Sequence, residues 1–85
     1  MNAILWQPKA LRQLRKLPGA ANIEIRAAVS LELVDLTQVR DVKALTKHAY
    51  GFRLRAGNHR VFFDFDGVVR VVSIEELKKR DERTY

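Results

Sequence analysis

Between Tyr50 and Phe65 the chain alternates apolar and polar residues on both sides of a Gly-Asn pair, and no other feature narrows the fold so far. Tyr50, Phe52 and Leu54 are separated by Gly51, Arg53 and Arg55, and after Gly57-Asn58 the stretch His59 to Phe65 alternates again. A period of two is that of a half-buried strand, whose side chains point to opposite faces in turn. Gly-Asn supplies the positive φ angles of a tight hairpin turn. With these two residues as the turn, Ala56 pairs with His59, Arg55 with Arg60, Leu54 with Val61, Arg53 with Phe62, and Phe52 with Phe63. Phe52, Leu54, Val61 and Phe63 then share one face; Arg53, Arg55, Arg60 and Phe62 share the other. A slip of one residue would turn a whole strand over, so the apolar pattern sets the register.

The apolar face needs a cover, and the N-terminal half supplies helices. Ala3 to Trp6 reads as a short strand ended by Gln7-Pro8, with Pro8 suited to a first helical position. Leu11, Leu14 and Leu17 fall on one helical face, with Lys9, Arg12, Gln13 and Lys16 mostly on the other. Pro18-Gly19 stops this helix. A second helix, from Ala20 or Asn22 to Leu36, carries Ile25, Val29, Leu33 and Leu36 as one apolar stripe. Thr37 to Lys47 has no period and reads as a connecting loop.

After Asp66-Gly67, Val68 to Ile74 is a further β-rich run. A three-residue loop, Asp66 to Val68, pairs Phe63 with Val71 and Asp64 with Arg70, which makes Arg70 a structural partner of Asp64. Glu75 to Tyr85 is a charged tail, helical or extended. The expectation is one α+β domain over 1–85, in the order β-α-α-β-β-β, its short first strand and two-helix hairpin packed on one face of a small antiparallel sheet.

Eighty-five residues leave little room for a deep cavity, so any chemistry belongs on an open surface facing a large ligand. The net charge is +6, and ten of the sixteen basic residues are Arg, whose planar fork suits phosphate. That balance points to nucleic acid. Like charges opposed across a sheet, such as Arg55 and Arg60, are destabilising, and a polyanion would bridge them. The tail adds Lys78, Lys79, Arg80 and Arg83 and ends in Tyr85, an aromatic able to stack on an unpaired base. His48 reads as a surface residue and His59 as a partly buried one. Without cysteine there is no disulfide and no thiolate metal site. No stretch approaches the roughly 18 apolar residues of a membrane span, and Met1 to Trp6 is too short for a signal peptide's apolar region. The expected setting is cytoplasmic, with no membrane contact.

The sequence resembles the RelE/ParE superfamily of type II toxin–antitoxin toxins, over nearly its whole length. The resemblance runs through Trp6-Gln7-Pro8-Lys9-Ala10-Leu11, Leu14-Arg15-Lys16-Leu17-Pro18, and most specifically the stretch from Tyr50 to Phe63, and closes on Lys79-Arg80 and the terminal Tyr85. It implies a microbial-RNase-like sheet and a cognate acidic antitoxin that wraps the toxin in a hetero-oligomeric assembly. For the RelE branch it implies metal-independent cleavage of mRNA in the ribosomal A site, beside 16S rRNA, with no cofactor. The ribose 2′-OH attacks the adjacent phosphate and leaves a 2′,3′-cyclic phosphate. Carried over by position, Arg53 matches a strand lysine of such a site, Arg60 its central arginine, Arg80 its C-terminal arginine and Tyr85 its C-terminal tyrosine. Arg55, Lys78, Lys79 and Arg83 would hold phosphate around them. Gly51 stands where RelE has a second lysine, and Arg53 is too basic to accept a proton at neutral pH. The base is therefore unassigned among His59, Glu75, Glu76 and Glu82. Two alternatives share the fold: a ParE-like inhibitor of DNA gyrase, and a non-catalytic homologue that only binds its antitoxin.

Overall fold

The structure, a computed structural model, describes residues 1–35 and 40–79. Its elements are β1 (Ala3–Trp6), α1 (Pro8–Arg15), α2 (Gly19–Glu32), β2 (Val42–Ala44), β3 (Phe52–Ala56), β4 (His59–Asp66) and β5 (Val71–Lys79). The strands form one sheet in the order β1-β5-β4-β3-β2. All neighbours are antiparallel except β1, which joins the edge parallel to β5, with Ala3 opposite Val71 and Trp6 opposite Ile74. The α+β class and the two helices covering one side of the sheet are as expected; the parallel edge strand makes the sheet mixed.

The β3–β4 hairpin has the register that the alternation dictates, from Phe52 opposite Phe63 to Ala56 opposite His59. Gly57 turns the chain at φ 58°, and a Cβ there would collide with the Glu24 carboxylate of α2. Leu14, Ile25, Val29 and Leu33 from the helical side pack with Leu54, Val61, Phe63, Val72, Ile74 and Leu77 from the sheet, all buried. Burying each such side chain is worth about 1.5–3 kcal/mol. Asn22 donates to the Leu14 carbonyl at 3.0 Å and so fastens the turn between the helices. Leu36, the expected end of the second helix, lies outside the described residues.

Three expectations need correction. First, the turn after β4 is longer than the three-residue loop. Asp66 pairs with Val71, and its carboxylate accepts the N–H groups of Val68 (2.9 Å) and Val69 (3.3 Å). That local capping stabilises a four-residue turn, Gly67 to Arg70. Arg70 sits in it at φ 59°, exposed. Asp64 therefore faces Ser73 and not Arg70, and its carboxylate accepts the Gly51 N–H at 2.7 Å.

Second, the stretch read as a loop contains β2. Three residues are too few to display a period, yet Val42 lies opposite Leu54 and extends the apolar face. Third, the last strand is Val71–Lys79 and not Val68 to Ile74, so the charged residues to Lys79 take the extended form of the two expected and belong to β5. A β-bulge makes this compatible with a core. Phe62 opposes Glu76 while Phe63 opposes Ile74, so Glu75 is an extra residue on β5. The insertion shifts the alternation by one, which brings Leu77 to the same buried side as Val72 and Ile74. The Leu77 N–H donates to Oε1 of Gln13 on α1 at 2.7 Å.

Removing that acceptor leaves a buried donor without a partner, which costs about 1–3 kcal/mol. Gln13→Ala is expected to lower unfolding free energy by that amount in urea titration, while Gln13→Glu, which keeps an acceptor, loses less. Gly57→Ala is expected to cost about 1–2 kcal/mol for the left-handed backbone, readable in the same titration.

Candidate nucleic-acid interface

With the helices on one side, alternation leaves the other side of the sheet open. The register writes two cross-strand rows on it. One runs Arg55, Arg60, Lys78 across β3, β4 and β5; the other runs Lys43, Arg53, Phe62, Glu76 across β2 to β5. Neighbouring strands lie about 4.8 Å apart, so the first row concentrates three cations within about 10 Å. Among the described residues no carboxylate pairs with Arg53, Arg55, Arg60 or Lys78. Nε of Arg53 is buried, and among the described residues it has no hydrogen-bond partner. A shallow pocket of about 220 Å³ is lined by Arg53, Arg55, Gly57, His59 and Arg60. Folding gives no reason to oppose these charges, whereas a bridging phosphate would satisfy the fork of each guanidinium.

Of the residues expected at a site, Arg53, Arg55, Arg60 and Lys78 share this face. Lys79 does not: it pairs with His59, which puts its register position on the helix side. His59 is half-buried, with its Nδ1 unpartnered among the described residues, and it lines the pocket beside the arginines. Arg80, Glu82, Arg83 and Tyr85 lie outside the described residues. The two remaining carboxylate candidates are both engaged. Glu75 accepts the Ser73 hydroxyl at 2.7 Å, itself bonded by Gln7 at 2.7 Å, and Glu76 lies 3.5 Å from Lys9. Gly51 closes against Asp64, and a Cβ at Gly51 would stand only 3.2 Å from that carboxylate.

Sequence reasoning missed an aromatic cluster on the same face. The ring of His48 stacks on Phe62 at 5.1 Å and 12°, and Tyr50 leans on Phe62 at 5.9 Å and 37°. Phe62 is only 6% exposed although it belongs to the open side. The signal was present: a phenylalanine among the arginines of a solvent face needs something over it. Desolvation raises the Tyr50 phenol above its ordinary pKa, helped by its hydrogen bond to Glu76 and by that carboxylate's charge. Among the described residues no cluster of His, Asp and Glu could hold a metal ion, and no helix is long and apolar enough to cross a membrane.

No protein-family model matches the chain, and no curated protein matches it. Solved structures do. The isolated RelE toxin of E. coli is 13% identical, with a TM-score of 0.79, over 96% of this chain and 87% of that one. A RelE–RelB complex from Pyrococcus horikoshii gives 25% identity and a TM-score of 0.70 over 98% of both chains. The RelBE2 toxin–antitoxin complex of Mycobacterium tuberculosis gives 22% and 0.75, over 93% of this chain and 98% of that one. The fold is that of RelE.

Glu76→Gln is expected to lower the pH at which Tyr50 ionises, followed by ultraviolet absorbance of tyrosinate. The midpoint falls only part of the way, because desolvation, the larger cause, remains. A pKa raised on folding contributes stability that is complete below the unfolded value and is lost as pH climbs through the folded one. The wild-type chain should therefore lose stability above about pH 10, and Glu76→Gln should lose less there.

Proposed function

We propose that this chain, a RelE fold with an uncompensated cationic face, is the toxin of a type II toxin–antitoxin pair that cuts mRNA in the ribosomal A site. The observation that carries the reading is the convergence of Arg53, Arg55, Arg60 and Lys78 on one open surface without a pairing carboxylate among the described residues. Arg53 and Arg60 hold the scissile phosphate, and Arg55 and Lys78 hold its neighbours. As the 2′-OH attacks, charge builds on the phosphate oxygens, and fixed guanidinium groups stabilise it without reorganising. Arg80 is assigned to the leaving 5′-oxygen and Tyr85 to a base beside it. Arg83 supplies flanking charge to RNA or to 16S rRNA. No side chain is assigned as base, since Arg53 stays charged and both Glu75 and Glu76 are engaged.

The cognate partner is an acidic antitoxin that neutralises the cation rows; Ile23 and Leu31, exposed on α2, give it apolar purchase. The system belongs in the cytoplasm, where ribosomes and mRNA are. One observation favours the gyrase reading. Gly51 and Asp64 put a closed, acidic contact where RelE has a lysine.

Arg60→Ala is expected to reduce mRNA cleavage by about 10²–10³, the loss typical of removing one transition-state donor, and to restore growth. Primer extension on mRNA after induction reads this out, with Tyr85→Phe as the companion variant. Intact message during growth arrest, with gyrase trapped on DNA, would establish the ParE-like alternative instead. Growth unaffected by the wild-type chain would leave only antitoxin binding.

A further inference from the structure

Folding explains a cover over Phe62 but not the cover it has. The register puts Phe62 on the cationic side, between Arg53 on β3 and Glu76 on β5. Among what lies over it are an imidazole and a phenol. Lys47, at φ 53°, turns the loop that carries them. The exposed His48 ring is held from two directions: its face on Phe62 at 12° to parallel, and its Nδ1 accepting the Tyr50 N–H at 3.1 Å.

We propose that His48, Phe62 and Tyr50 form a subsite for one unpaired nucleobase of single-stranded RNA, which stacks on the open face of His48. The subsite rests on the RNA reading above and adds a base contact to its phosphate contacts. Stacking on aromatic faces tolerates any base and complements a charged groove that follows the backbone. A ring already fixed in place loses little freedom on binding. The distances suit one nucleotide. Phe62 is two residues along β4 from Arg60, about 7 Å, and one strand from Arg53. A phosphate held by those arginines leaves its base within reach of the stack. Because Nδ1 is occupied, the neutral ring carries its proton on Nε2. His48 is thus a platform whose orientation the Tyr50 N–H fixes.

The test is fluorescence anisotropy of the full chain with a labelled single-stranded RNA hexamer, 2′-O-methylated to block cleavage. A set of hexamers carrying one abasic position each is measured beside it. His48→Ala should weaken binding about 10-fold, the size of one base–aromatic stack. His48→Phe, which keeps the ring, should stay within about 3-fold of wild type. In the wild type one abasic position should also cost about 10-fold, and that cost should vanish in His48→Ala, as coupled groups require. Thermal melting of the variants confirms that they are folded. If His48→Ala binds like wild type while Arg60→Ala does not, the rings are only a lid on Phe62, and the subsite is wrong although RNA binding stands. If the wild type shows no affinity that Arg60→Ala reduces, the RNA reading falls and takes the subsite with it.

Discussion

Everything on the working side of this molecule follows from how the β3–β4 hairpin settles its apolar residues. Phe52, Leu54, Val61 and Phe63 must face the helices, and the Gly57-Asn58 turn together with that demand selects the register, since a one-residue slip would turn a strand over. That register leaves Arg53, Arg55 and Arg60 no choice of side. The hydrophobic effect thereby places charges that it does not itself act on. A site built this way sits on a rigid sheet, so its cations stay in place at little cost in mobility.

The electrostatic design of the open face is uneven. Three carboxylates of the described residues are committed elsewhere: Asp64 to the Gly51 N–H, Glu75 to Ser73, and Glu76 to Lys9 and Tyr50. The central arginines are left facing one another. Among the described residues no carboxylate neutralises them, which leaves a charge balance that an external anion would complete.

The hairpin and its face of arginines were readable in the sequence because two strands and their turn all carry one consistent signal. The register of β5 was not, for two reasons that act together. Its turn is stabilised by the Asp66 side chain around a positive-φ arginine, where a shorter loop with a neat Asp64–Arg70 pair looked better. Its alternation is then broken by the extra residue at Glu75, which disguised Leu77 as part of a solvated tail. The ring cluster was missed because His48 and Tyr50 sit in an aperiodic loop, and only the folded chain brings that loop over Phe62.

The parallel pairing of β1 with β5 joins segments far apart in sequence, since Ala3 lies beside Val71 and Trp6 beside Ile74. Within the sheet β1 has no mate other than β5. Contacts this distant in sequence close late, after the loop entropy of the intervening residues has been overcome. Closing this edge therefore fixes the longest loop between any two paired strands of the sheet.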